Sequence, residues 1–392
     1  MKALWNALWR IRVLWYYNAE GGVFLLLGMA ISHLFGILHP ENSWFLRDLV
    51  VWLLVAGIYL AATGVPLDKL REHWRLIVIA IATEVAVKWV IISVATIFFT
   101  GPIALWVCIG LVQIDPITTK VVKRILSLTP AGETLITTVS IYDDMITSVS
   151  SVSLVLLLAA FGVMHPVLPG EMGLAEGWSA ILAPLAFALL VVVYLVMLKW
   201  RAYRRHVKAE VSEEALNFFR WLTGALFAAT FTGGAASTGM LIRPKWLERP
   251  LAEGSETTNA EGINRVIFWT VFFILGITIP SVKMAWRIGG IAGTASYFSQ
   301  FPAAWLAFWA NAKFREAAVL PREDRHVFSR AQLLGLTAVS LGLNGQYTHV
   351  WAPTHVLGEA TSGPLSLLLP AILACNLWHL FVNTGHLWGR RD

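Results

Sequence analysis

Charge is scarce in this sequence. Only 14% of its 392 residues are charged, while 57% are hydrophobic; an ordinary soluble domain carries roughly a quarter charged residues. With a mean hydropathy of +0.65, that shortage excludes a water-soluble fold. Cysteine is scarcer still. Cys108 and Cys375 each lie inside an apolar run, far apart, which excludes a disulfide framework and a thiolate metal site and leaves redox chemistry without support. Long polar stretches are missing apart from 243–265, so no soluble enzyme module is expected. The start lacks a small-residue cleavage site after a short apolar core. Trp5, Leu8, Trp9 and Ile11 among Lys2, Arg10 and Arg12 instead predict an interfacial helix over 1–21, held on the cytoplasmic face.

What is present is apolar length. A helix needs about 20 residues to cross a bilayer, and apolar runs recur at 22–38, 47–65, 74–98, 103–128, 132–163, 178–200, 218–242, 264–282, 286–312, 328–356 and 363–388. They predict an all-α polytopic membrane protein with a single transmembrane domain over 22–388. Of the 19 tryptophans, Trp44, Trp74, Trp200, Trp221 and Trp388 lie near run ends, where an indole suits the headgroup layer. The net charge of +6 lies mostly in loops. It therefore reads as topology and contact with anionic lipid of the bilayer, with no nucleic acid as partner.

Basic loops mark the cytoplasmic side. The stretches 66–75, 120–124 and 199–208 are rich in Lys and Arg, whereas 99–102 and 164–177 have none. The first triplet, about 74–163, therefore runs in-to-out, out-to-in, in-to-out. The basic stretch 313–330 and Arg390 with Arg391 turn the second triplet, about 286–388, the opposite way, which makes an inverted repeat. The polar stretch 243–265 separates the two halves. An even number of crossings must join the triplets, but three runs lie between them, so the helix count within 178–282 stays open. The expected location is a bacterial-type cytoplasmic (inner) membrane, crossed many times, with the N-terminus cytoplasmic.

The middle run of each triplet is interrupted. Asp115-Pro116 sets a charge and an imide inside the first, so the helix opens there and frees backbone groups. Gly342-Leu-Asn-Gly345, followed by Pro353, is the corresponding weak point of the second. Two discontinuous helices at matching positions of opposed repeats point to an ion site at mid-membrane.

Ser140-Ile-Tyr-Asp143-Asp144-Met-Ile-Thr147 lies deep inside the run 132–163. A mid-helix aspartate costs about 2.5–3.5 kcal/mol on insertion scales, so Asp143, Asp144 and Asp115 together cost on the order of 8–10 kcal/mol. Such a cost implies a function. Adjacent positions on a helix point about 100° apart, so one carboxylate can face an ion path while the other meets a partner. Ser140 and Thr147 add hydroxyl oxygens about one turn either side of Asp144. An all-oxygen set suits a hard cation, by the same logic as calcium and magnesium, and sodium at Asp144 and Asp143 is the expectation. Proton and cation would then compete for one site, with the pair titrating as a unit. No other cofactor is implied.

The order Tyr59-Leu-Ala-Ala-Thr-Gly-Val-Pro-Leu-Asp-Lys-Leu70, Asp115-Pro116, Gly132-Glu133, Asp143-Asp144, Phe272-Phe-Ile-Leu-Gly276 and Ser329-Arg-Ala-Gln-Leu-Leu-Gly-Leu336 resembles the monovalent cation/proton antiporter superfamily over roughly residues 49–356. The resemblance implies an inverted-repeat antiporter fold that forms a homodimer, with a six-helix core that moves as an elevator and a separate dimerisation domain. It makes Asp144 the ion-binding aspartate. Asp143 matches the position before it, an aspartate in the electrogenic branch. Asp115 resembles the aspartate of the Thr-Asp-Pro motif of the electroneutral branch, although Ile114 replaces the threonine. A second departure concerns the lysine that the electrogenic branch carries in the first helix of the second triplet. The run 286–312 offers only Ser296, Tyr297, Ser299 and Gln300 at depth, and Lys313 at its edge. Lys88 is a possible substitute, or it pairs with Glu84 one turn away on its own helix.

Other polar residues have plainer readings. Glu133 caps the start of its helix or pairs with Lys123, Arg124 or Arg330. Asn376, His379 and Asn383 share one face of the last helix and suit helix–helix hydrogen bonds; His349 and His355 follow the second break. Three other functions compete with exchange. A potassium efflux protein usually has a cytosolic nucleotide-binding domain, not expected here because the sequence ends at Asp392 close after its last apolar run. An intramembrane aspartyl protease would need a Gly-x-Gly-Asp partner for Tyr142-Asp143, so no enzyme is expected. A non-transporting membrane sensor or partner subunit keeping the same fold is the third.

Overall fold

The structure, a computed structural model, describes residues 2–35, 44–65, 73–100, 104–115, 128–160, 245–250, 258–278, 283–313, 320–335, 338–339 and 364–389. Among them the chain is helical: α1 (Lys2–Phe35), α2 (Trp44–Thr63), α3 (Trp74–Thr100), α4 (Ala104–Val112), α5 (Pro130–Ala160), α6 (Asn259–Ile277), α7 (Lys283–Lys313), α8 (Arg322–Phe328) and α9 (Pro364–Gly389), with a 3₁₀ turn at Lys245–Glu248. The single β feature among these residues is an isolated bridge between Pro250 and Thr258. Three stretches, Trp74–Phe99, Asn259–Ile277 and Leu367–His386, are long and apolar enough to cross a membrane. The expected runs 178–200 and 218–242, and with them the open helix count, lie outside the described residues.

Three boundaries differ from the sequence reading. The interfacial helix over 1–21 and the run at 22–38 are parts of one helix, α1. Gly21 and Gly22 do not break it, because Gly21 packs closely on Phe268 and Phe272 and Glu20 is held by Arg265 and by the Trp269 indole N–H at 3.2 Å. The polar stretch 243–265 contains the first turns of α6. Thr258 and Glu261 form a reciprocal capping box there, with Glu261 N–H donating to Thr258 Oγ1 at 3.4 Å and Thr258 N–H to Glu261 Oε2 at 3.1 Å. The run 328–356 opens on non-helical chain. α8 stops at Phe328, and Ala331–Gly335 carries no helical structure. The break expected at Gly342–Gly345 lies outside the described residues.

Packing fixes relative directions. α1 and α6 run parallel: Glu20 meets Arg265 near one end and Ser32 Oγ donates to Ile277 O at 3.3 Å near the other. Gly28 and Gly276 let the two backbones touch, since a Cβ on Gly28 would strike Phe273 O and one on Gly276 would strike Leu25 O. α7 and α9 also run parallel, with Gly293 against Ala371 and Thr294 beside Trp378. α3 and α7 make the most extensive helix contact, and α4 and α5 pack against α3. That group encloses the buried polar residues.

Candidate ion-binding site

α5 places the aspartates. Thr129 caps it, its Oγ1 accepting Gly132 N–H at 3.3 Å, and Pro130 takes the first helical position, where the missing N–H costs nothing. The cap is itself held by Asp324 of α8, whose carboxylate accepts Thr129 N–H at 3.2 Å and the Thr129 hydroxyl. Gly132 is required there, because any Cβ would run into that carboxylate. Capping thus belongs to Thr129 rather than to Glu133, which is exposed. From this anchor, Asp143 and Asp144 fall in the middle of α5 and are fully buried, as are Ser140 and Thr147.

The hydroxyls are oriented by their own helix. Ser140 Oγ donates to Thr137 O at 2.9 Å, and Thr147 Oγ1 lies 2.8 Å from Asp143 O and 3.1 Å from Asp144 O. With the protons committed to backbone carbonyls, the hydroxyl lone pairs remain for an acceptor role. Asp143 reaches across to non-helical chain: α4 ends at Val112, and Ile114 N–H donates to Asp143 Oδ2 at 3.0 Å. Asp143 Oδ1 and both polar atoms of the Gln113 side chain are buried with no hydrogen-bond partner among the described residues. A buried group left so is costly, and these oxygens are candidate ligands for an ion or water.

Two non-helical stretches cross beside this point. Asp115 N–H donates to Leu333 O at 2.9 Å, and a Cβ on Gly335 would overlap the Asp115 carboxyl. Beyond it, Val339 N–H donates to Gly335 O at 3.3 Å. The second stretch is held from α9. Asn376 accepts Leu334 N–H at 3.0 Å and donates to Leu334 O at 2.9 Å, while His379 Nδ1 lies 3.0 Å from Arg330 O. Asn376 and His379 of α9 therefore grip non-helical backbone rather than a neighbouring helix.

Lys88 and Glu84 are both fully buried on α3. The Lys88 ammonium lies 3.2 Å from Glu84 Oε2, and it also donates to Val112 O at 2.9 Å and to Gln332 Oε1 at 2.7 Å. Its three donors thus tie α3 to the end of α4 and to the chain after α8. Glu84 also accepts from Gln300 Nε2 of α7, which donates to Phe328 O at 3.0 Å. Gln332 Nε2 continues the network to Gln113 O at 2.9 Å and Ser296 Oγ at 3.0 Å. Lys313 ends α7, 13 residues beyond Gln300, about 20 Å along the axis, which removes it from this network. Arg330 gives its carbonyl to His379; Lys123, Arg124, His349 and His355 lie outside the described residues.

The sequence reading did not single out Thr129, Asp324, Gln113 or Gln332. Gln332 sits inside the Ser329–Leu336 motif, and Thr129-Pro130 is a legible helix start, but nothing in the linear sequence joins Asp324 to it.

Among the described residues these features define a helical membrane fold with buried carboxylates beside non-helical chain at mid-helix depth. The fold is that of a transporter of known structure: the sodium proton antiporter MjNhaP1 from Methanocaldococcus jannaschii at pH 8 aligns with a TM-score of 0.58 at 12% identity, covering 100% of this chain and 99% of that one. No protein-family profile and no curated protein matches the sequence.

Proposed function

We propose that this chain is a secondary transporter, not an enzyme, that exchanges a monovalent cation, sodium in the first place, for protons at Asp144 and Asp143. The supporting observation is a fully buried aspartate pair with Asp143 bonded to the amide of non-helical Ile114, in a fold shared with a sodium proton antiporter. The same atoms cannot hold a proton and an alkali ion together, so loading one releases the other. Exchange requires only that the loaded site face each side in turn. The crossing stretches at 113–115 and 331–335 fit two discontinuous helices of an inverted repeat. An elevator movement of the core α3–α5 and α7–α9 against α1, α2 and α6 would supply the alternation, in a homodimer of the cytoplasmic membrane. The cargo is the cation and the proton; no resident cofactor enters.

The test uses the full chain in proteoliposomes with an entrapped pH-sensitive dye, challenged with sodium, lithium and potassium. Sodium or lithium is expected to move protons in the parent, and Asp144→Asn to fall to the level of empty vesicles. A response to potassium alone would favour a potassium efflux protein. If the parent and Asp144→Asn are equally silent, the fold serves a membrane sensor or partner subunit instead.

A further inference from the structure

α7 has 31 residues, about 46 Å at 1.5 Å per residue, enough to cross the bilayer from end to end. Exposed Trp286 and Trp309 stand near its two ends, about 35 Å apart along the axis. That spacing matches a hydrocarbon core of about 30 Å between two headgroup belts, and Phe298 falls midway. Between Arg287 and Phe298 the outer side of α7 opens into a groove of about 600 Å³, with Gly290, Ile291 and Thr294 along it and Ala374 of α9 on the opposite wall. A Cβ on Gly290 would meet nothing within 4 Å, so protein does not fill the groove there. At the deep end Trp378 donates to Thr294 Oγ1 at 3.0 Å and meets Phe298 edge-on at 5.1 Å between centroids.

The groove is about 16 Å long, close to the depth of one leaflet, about 15 Å. Its walls are apolar apart from Thr294, whose hydroxyl accepts the Trp378 indole N–H, and from exposed Arg287 at the headgroup level. Among the described residues no carboxylate pairs with that guanidinium, whose planar fork matches a phosphate. We propose that this groove is a seat for one anionic phospholipid, its phosphate on Arg287 and an acyl chain running down Gly290 and Thr294 to Phe298. A concave channel one leaflet deep with a single cationic end fits a lipid better than a second protein copy, which would need a broad complementary face.

The seat lies outside the aspartate site, so the test reads binding and not exchange. The purified full-length chain in detergent is incubated with equal amounts of phosphatidylglycerol and phosphatidylcholine carrying identical acyl chains, and retained lipid is counted by native mass spectrometry. The parent is expected to hold the anionic lipid about fivefold over the zwitterionic one, the preference one basic side chain confers at a lipid surface. Arg287→Gln should bring the ratio to parity and Arg287→Lys should keep most of it. Gly290→Leu, which fills the channel, should lower retention of both lipids at an unchanged unfolding temperature; if it does not fold, Ala374→Leu fills the same channel from the other wall. Parity in the parent, or a preference that survives Arg287→Gln, would overturn the proposal and leave ordinary boundary lipid.

Discussion

At the scale of single residues, buried charge governs this core: Asp143 and Asp144 of α5 and the Glu84–Lys88 pair of α3 are all fully buried. Asp143, Asp144, Ser140 and Thr147 stood out because carboxylates in an apolar run are costly, and all of them are buried at the middle of α5. The Glu84–Lys88 spacing on one helix face was equally legible, and the pair forms at 3.2 Å. Its further bonds to Val112 and Gln332 were not, because they join residues separated by 24 and 244 positions, which no local periodicity reports. Those bonds decide what mutation should do. Removing one member of a buried ion pair costs about 3–5 kcal/mol, so Lys88→Ala should lower the unfolding temperature strongly. Adding Glu84→Gln should recover only part of the loss, since Val112 O and Gln332 Oε1 stay without their donor. Full recovery, measured by thermal unfolding in detergent, would mean that the local pair is all that matters.

At the scale of elements, apolar length located most of the described helices, and non-helical chain was harder to foresee. Residues 113–115 adjoin the Asp115-Pro116 pair that marks them in the sequence. Ala331–Gly335 lies inside an expected apolar run yet carries no helix, because its backbone partners come from distant segments: Asp115 N–H takes Leu333 O, and Asn376 takes both polar groups of Leu334. A stretch so satisfied stays out of helix without a proline. Asn376→Ala should leave two buried backbone groups unpaired, at about 1–3 kcal/mol each. Asn376→Asp should fall between the alanine variant and the parent, because a carboxylate can accept from Leu334 N–H but cannot donate to its carbonyl. Equal unfolding temperatures for all three would show that α9 does not hold the segment.

For the whole molecule, direction is the useful quantity. α1 and α6 run parallel, so the residues just before α6 face the side on which α1 begins. If the N-terminus is cytoplasmic, as expected from the basic loops, a cysteine at exposed Arg249 should react with a membrane-impermeant maleimide only from the cytoplasmic side, together with one at exposed Trp9. Arg249 labelled from the side opposite Trp9 would contradict the helix pairing itself. Sequence parity left this orientation open because three runs were counted where an even number was needed. A contact 245 residues apart in the chain supplies what hydropathy lacked.

Asn376 holds Leu334 through two hydrogen bonds, one to each of its backbone polar groups. An amide side chain that faces a peptide and matches both its groups stands in for the adjacent strand of a sheet, so Leu334 is protected as a ladder residue would be, though no strand lies beside it among the described residues. In heavy water its amide should therefore exchange as slowly as those of the surrounding helices, and far more slowly than an ordinary bend in the chain.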